Sequence, residues 1–319
     1  MKKHILDKDY IGTFLIRNAV SMMLLAFVVV MIFTKRSFFT ADNIVNIINE
    51  CSVYGVTACA MTVAIICAEF DLSASSVFAW STVLFVICCN ALGIAAAFVI
   101  TLASGAVMGA FNGILVAKVR IPAFVATLGT MTAIKGLAYV VTEAQPINTS
   151  NETLYAIGQF NIFGITIAPI VFTLVILIFI WFLKYTRFGR NIYATGGNYE
   201  VAKLSGINVE FSKFIIFVLL GVCAAISGML YCSRIMAGWA PYGGDLSLYC
   251  VAATVIGGTS LLGGSGGVHR TIIGVLLMAV LFNALTLLGV DGSMQKFIRG
   301  LVLITVIMLD AVANMRKKS

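Results

Sequence analysis

Ile165-Thr166-Ile167-Ala168-Pro169-Ile170-Val171-Phe172-Thr173-Leu174-Val175-Ile176-Leu177-Ile178-Phe179-Ile180-Trp181-Phe182-Leu183 is a run of nineteen residues without one charge, closed by Lys184. A helix of about 20 mainly apolar residues crosses the hydrocarbon core of a bilayer. Runs of this kind recur on both sides of it, at roughly Phe14–Phe33, Ile44–Ala68, Ala74–Asn90, Ile94–Ala117, Ile121–Val141, Phe214–Tyr231, Leu248–Leu262, Thr271–Val290 and Phe297–Ala313. Together they predict ten spans. The whole chain of 319 residues is 61% hydrophobic and 11% charged, with four prolines and a mean hydropathy of +1.04. A soluble domain is about half apolar and a quarter charged, so a soluble enzyme is excluded, and disorder needs the opposite composition. A β-barrel would show alternating segments of about ten residues, whereas these runs are continuous. The chain reads as one all-α polytopic membrane domain, residues 1–319.

The formal charge of +8 sits in short clusters between the runs, as orientation in a membrane requires, and not in a patch for nucleic acid. With both termini cytoplasmic, fifteen of the 21 basic residues lie inside, among them Lys2, Lys3, Lys118, Arg120, Arg187, Arg190, Lys213 and Arg316. Lys35, Arg36, Arg234, Lys296 and Arg299 remain outside, and Lys135 lies within a span, where lysine snorkels toward an interface. The first helix reads as retained, because Asp7, Lys8, Asp9 and Arg17 interrupt any signal-peptide pattern. None of the eight cysteines forms a CxxC, and His4 and His269 offer no metal spacing, so the cysteines read as small packing residues.

The third and eighth runs are short and flanked by Gly, Ser or Asp, which predicts broken or re-entrant helices. Asp71-Leu72-Ser73 and Asp245-Leu246-Ser247 each stand between two apolar runs. The ten-span topology puts them on opposite sides of the membrane, as an inverted-topology repeat would.

Three segments stand apart. Lys184–Lys213 is a polar, basic stretch about thirty residues long, against the usual two to eight between bundle helices. Within it Asn198 caps a short helix from Tyr199 to Ser205, which Gly206 ends. A loop of this size is read as docking a partner on the cytoplasmic side. Gly257–Gly267 holds six glycines but no P-loop lysine. It is read either as an unwound turn beside a pathway or as close helix packing, with the first favoured. In the third segment Asp71 either caps the following helix or serves transport. Nucleotide-binding and catalytic motifs are missing from the sequence, so uphill movement would draw on an ion gradient or on a separate subunit.

These segments resemble the permease subunits of bacterial ABC importers for ribose and related monosaccharides. Thr186-Arg187-Phe188-Gly189-Arg190, Tyr193-Ala194, Gly196-Gly197-Asn198, Ala202 and Ser205-Gly206-Ile207 carry the likeness in the cytoplasmic loop. Ile121-Pro122-Ala123-Phe124, Thr127-Leu128-Gly129 and Gly136 carry it in the fifth span. Ile256-Gly257-Gly258-Thr259-Ser260, Gly263-Gly264 and Gly266 carry it in the glycine segment, and Asn112-Gly113 and Asn283 agree. The chain departs from the family at Ala68-Glu69-Phe70-Asp71, where Gly-Gly-Ile-Asp is usual, at Asp245–Cys250, and at His269-Arg270-Thr271.

The resemblance implies two permease copies in a bacterial cell membrane, a cytoplasmic ATPase and an extracytoplasmic sugar-binding protein. ATP and magnesium would bind the ATPase, with no cofactor on this chain. It implies that Gly189, Arg190, Gly196, Gly197, Asn198, Tyr199, Ala202, Leu204, Ser205 and Gly206 couple to the ATPase, with Tyr199, Val201, Ala202 and Leu204 as possible knobs for its groove and Ala202 the one that matches the family pattern. Asp71, Ser73, Asn112, Thr127, Gly257, Gly258, Thr259, Gly263, Gly264 and Asn283 would line or shape the pathway. It also leads one to expect no pocket rich in polar and aromatic side chains. The alternative is an ion-gradient-driven secondary transporter, which would need carboxylates on broken helices; Asp71 and Asp245 are the candidates.

Overall fold

A computed structural model describes residues 28–31, 33–162 and 165–316. The predicted first span, Phe14–Phe33, and both chain ends lie mainly or wholly outside these residues. Long helices dominate: α1 (Ala41–Ile66), α2 (Ala74–Leu92), α3 (Ile94–Gly113), α4 (Ala123–Thr142), the short α5 (Glu152–Gly158) and α6 (Ile167–Tyr185). After them come α7 (Arg187–Gly197), α8 (Tyr199–Leu204), α9 (Val209–Ile235), α10 (Leu246–Ile256), α11 (Val268–Leu287) and α12 (Gly292–Arg316). Among the described residues, seven helices are long and apolar enough to cross a membrane. They match seven of the predicted runs to within a few residues, because an apolar run of fixed length leaves the backbone no way to satisfy its polar groups in lipid except a helix.

Two of the short runs resolve differently. The run from Ala74 is not broken: α2 is a continuous helix of 19 residues. The run Leu248–Leu262 is not a helical span, since α10 has only 11 residues, about 16 Å at 1.5 Å per residue. The chain before it, from Met236 to Asp245, is non-helical apart from the two-residue strand Ala237–Gly238, which pairs with Ile147–Asn148.

α9 is the axis of the bundle, packed on α1, α2 and α3. Gly105, Gly109 and Gly113 form one seam of α3 where backbones touch. A Cβ at Gly109 would stand 2.3 Å from Phe217 O on α9, the close approach that small residues at four-residue spacing permit in membranes. Buried hydroxyls tie α1 to α10 and α11: Thr62 Oγ1 lies 2.7 Å from Thr271 Oγ1 and 3.2 Å from Thr254 Oγ1. The outer faces of α3, α4 and α6 stay apolar and exposed, with Val107, Val140 and Trp181 among the most open.

The bundle has two distinct ends. At one, Ile66, α7, α8, the start of α9 and the glycine segment come together. At the other, Asn90 Nδ2 donates to Asn148 O and Trp239 Nε1 to Ala144 O.

Candidate functional site

The Lys184–Lys213 segment holds two consecutive short helices, not one helix in a loop. Thr186 Oγ1 accepts from Gly189 N at 2.9 Å and caps α7. Asn198 Oδ1 accepts from Val201 N at 3.1 Å and caps α8, which ends one residue short of expectation, at Leu204, before Gly206 turns at φ +80°. The signal for α7 was present: Thr186 before a stretch whose Gly189, Ile192, Thr195 and Gly196 face inward at helical spacing. The loop glycines had hidden it.

α7 is fixed to the spans. Gly196 lies against Ile66 O, and that same carbonyl accepts from Gly264 N at 2.8 Å. Tyr193 OH donates to Gly266 O at 3.0 Å, and its burial raises the phenol above its ordinary pKa. Thus α7, the end of α1 and the glycine segment form one joint. On α8, Val201 and Leu204 are 57% and 87% exposed, whereas Ala202 is 2% exposed. Ala202 packs within its own chain and is no knob for a partner; the outward apolar pair is Val201 and Leu204. Arg190, Gly197, Asn198, Ser205 and Gly206 are also at the surface, and Tyr199 is half-buried.

A link absent from the sequence reading joins this platform to the spans. Buried Glu69 pairs through Oε1 with Lys213 Nζ, and that ammonium also lies 5.3 Å from the Tyr199 ring centroid. Glu69 opens the non-helical stretch that leads to Asp71.

The ten predicted pathway residues fall in four places. Asp71, Ser73 and Asn112 are together and buried: Asp71 Oδ1 accepts from Ser73 N at 2.7 Å, and Asn112 Nδ2 donates to Ser73 Oγ at 2.7 Å. Asp71 thus lies just before α2, whose N-cap is Ser73 and not Asp71, and its carboxylate serves that residue's N–H. Asn112 Oδ1 is buried without a partner among the described residues. Thr127 is buried but bonds to Ala123 O within α4. Gly257, Gly258, Thr259, Gly263 and Gly264 form the joint, where the segment does leave the helical region: φ is +87° at Gly258, +82° at Gly263 and +69° at Gly264. Asn283 is far from both, in a reciprocal pair with Asn43 at 2.8 and 3.0 Å.

The two Asp-Leu-Ser triplets meet, contrary to their expected placement on opposite sides. Ser247 Oγ donates to Leu72 O at 2.8 Å and accepts from Ser75 N at 2.9 Å. Ser76 Oγ donates to Met131 O, halfway along α4, so the meeting point lies deep in the bundle.

Between that point and the Trp239 end is a cavity of about 440 Å³ lined by Tyr54, Tyr231, Tyr249, Lys135, Asp245 and Arg299, among others. A pocket rich in polar and aromatic side chains therefore exists, contrary to expectation. Arg299 Nη1 lies 3.5 Å from Asp245 Oδ2, and its guanidinium stands 4.4 Å over the Phe282 ring. The lining comes from α1, α4, α9, α10 and α12, which no local pattern could unite.

Residues 43–307 match the family model described as "Branched-chain amino acid transport system / permease component". The chain is 36% identical to the ribose import permease protein of Haemophilus influenzae over 290 residues, covering 89% of this chain and 90% of that protein. It is 36% identical to the L-arabinose transport system permease protein of Escherichia coli over 240 residues, covering 73% and 72%. With the galactose/methyl galactoside import permease protein of Escherichia coli it shares 32% over 337 residues, covering 98% and 99%. No solved structure matches the chain.

Proposed function

The chain belongs to the family of branched-chain amino acid transport system permease components, and on that footing we propose that it is the membrane subunit of an ABC importer for a monosaccharide. The names of its relatives, permeases for ribose, arabinose and galactose, support the solute class. A separate cytoplasmic ATPase binds ATP and magnesium and drives transport. An extracytoplasmic binding protein delivers the sugar, and a second permease copy, identical or homologous, completes the pathway. The exposed apolar faces of α3 and α4 suit that copy and lipid.

Ten crossings follow if the first apolar run, the stretch from Ala237 to Ile256 and α12 join the seven long helices (7 + 3). Both termini are then cytoplasmic, as the basic residues at both ends favour. An inverted-topology repeat accounts for the meeting of the triplets. In one half α1, a break and α2 follow one another; in the other half α9, a break and α10 do so in the opposite sense. Asp71, Ser73 and Asn112 belong to the pathway, and α7 with α8 to the coupling surface.

The observation that carries this reading is α8, a short capped helix that displays Val201 and Leu204 and follows directly on α7, which is rooted on the joint of α1 and the glycine segment. Burying a leucine side chain contributes about 1.5–3 kcal/mol, and about 1.4 kcal/mol is tenfold in affinity. Leu204→Asp is therefore expected to weaken capture of the ATPase subunit about tenfold or more, with sugar-stimulated hydrolysis and uptake falling together. Co-purification and uptake in proteoliposomes measure this. Full uptake with Leu204→Asp and Val201→Asp combined would refute the coupling role.

A further inference from the structure

The cavity between α1, α4, α9, α10 and α12 carries more positive charge than its own residues balance. Three cations line it, Lys135, Lys296 and Arg299, against one carboxylate, Asp245, a formal surplus of +2 (3 − 1). The adjoining cavity of about 390 Å³, which shares Tyr54 and Tyr231, adds Glu50 and Arg234. These cancel, so the surplus stands for both.

Asp245 is engaged by Arg299 at 3.5 Å. Among the described residues neither Lys135 nor Lys296 has a carboxylate within ion-pair distance, and Arg299 Nε is buried with no hydrogen-bond partner. The Lys135 ammonium reaches the break before α10, beside Gly244, where no acidic side chain among the described residues pairs with it. Cations drawn into a membrane bundle are costly unless something pairs with them. The partly exposed Arg299 guanidinium, whose Nη1 is on Asp245, and the Lys135 ammonium lining the same cavity make a receptor for an anionic group, the planar fork suiting a carboxylate. Tyrosines on the remaining walls offer ring faces and hydroxyls to a sugar.

Resting on the sugar-permease reading, we propose that the solute passing this cavity is an anionic monosaccharide, a uronic or aldonic acid, whose carboxylate is taken by Arg299 and Lys135. Neutral sugars would leave the Lys135 ammonium unpaired on the way through.

The test uses the assembled importer, this chain with its ATPase and binding protein, in proteoliposomes. ATP-driven uptake of labelled galacturonate, gluconate and ribonate is compared with that of galactose and ribose, and with a galactose phosphate. The acids are expected to be carried in preference. Lys135→Gln should lower their uptake about tenfold or more, as losing a charge-assisted contact does, and Lys135→Arg should restore it at equal membrane abundance. Preference for the phosphate over the acids would overturn the carboxylate assignment. Uptake of neutral sugars with none of the acids would overturn the anionic proposal and leave the sugar-permease reading intact. Equal loss of neutral and acidic uptake in Lys135→Gln would also overturn the proposal. Uptake of no sugar in either class would overturn the reading beneath it.

Discussion

Two adjacent glycines, Gly196 and Gly197, are equivalent in the sequence and opposite in the structure. A Cβ on Gly196 would stand 1.7 Å from Ile66 O, 2.8 Å from Ile66 C and 2.9 Å from Gly264 N. Carbon and carbonyl oxygen in close contact keep about 3.3–3.6 Å, so Gly196→Ala must open the joint by roughly 1.6 Å. The carbonyl it strikes also accepts from Gly264 N at 2.8 Å, and that bond is stretched as the parts separate. Loss of the bond costs about 1 kcal/mol, and overfilling a packed contact about 1–3 kcal/mol, giving roughly 2–4 kcal/mol for one methyl. On Gly197 the nearest atom to an added Cβ is Gly264 Cα at 4.0 Å. Gly197→Ala is therefore expected within about 0.5 kcal/mol of the parent. Thermal unfolding of the two purified variants in the same detergent separates them, with Gly196→Ala melting several degrees lower. In the reconstituted importer it should also lose stimulated hydrolysis, because the platform no longer moves with α1. If both variants melt and turn over alike, the joint is not where the platform is fixed, and the reasoning fails.

The Glu69–Lys213 pair is expected to behave as a buried ion pair. Lys213→Met or Glu69→Gln alone should cost about 3–5 kcal/mol, and the double replacement less than their sum; additive losses in a double-mutant cycle of unfolding temperatures would show the pair to be uncoupled. Ser247→Ala removes a hydroxyl that both donates to Leu72 O and serves Ser75 N, leaving buried backbone groups open at about 1–3 kcal/mol. It should depress uptake while the ATPase still co-purifies, and unchanged uptake would remove the triplet contact from the pathway.

The spans were legible because burial in lipid acts on each segment by itself: Ile167–Tyr185 needs no neighbour to be read as a helix. The cap of α8 was legible for the same reason, since Asn198 and Gly206 act within one turn. What stayed hidden depends on partners distant in the chain. Lys135, Lys296 and Arg299 each read as an isolated charge, fit to snorkel or to orient a loop, and only the shared cavity between α4, α12 and the break before α10 gathers them. Ala202 illustrates the converse error. Its small size correctly signalled a close approach, but size carries no direction, and the structure turns it toward its own chain.

The Asp-Leu-Ser triplets show how a sound rule was carried one step too far. Counting basic residues assigns sides to the ends of spans, and the structure groups those ends as the count does: Ile66 shares one end of the bundle with α7, Ala237 the other end with Asn148. The step that failed was to place each triplet at an end as well. Both follow a non-helical stretch that has already travelled into the bundle, one from each end, so α2 and α10 begin in the middle and the triplets converge. A helix that starts inside a membrane leaves its first N–H groups without water. At α2 those groups are served by Asp71 Oδ1, which accepts from Ser73 N, and by Ser247 Oγ of the other triplet, which accepts from Ser75 N. The second triplet does not repeat this at its own helix: Asp245, the N-cap of α10, makes no side-chain cap bond and pairs with Arg299, while Ser247 Oγ serves α2. Shared position in the bundle, more than shared side, is what the echo in the sequence records.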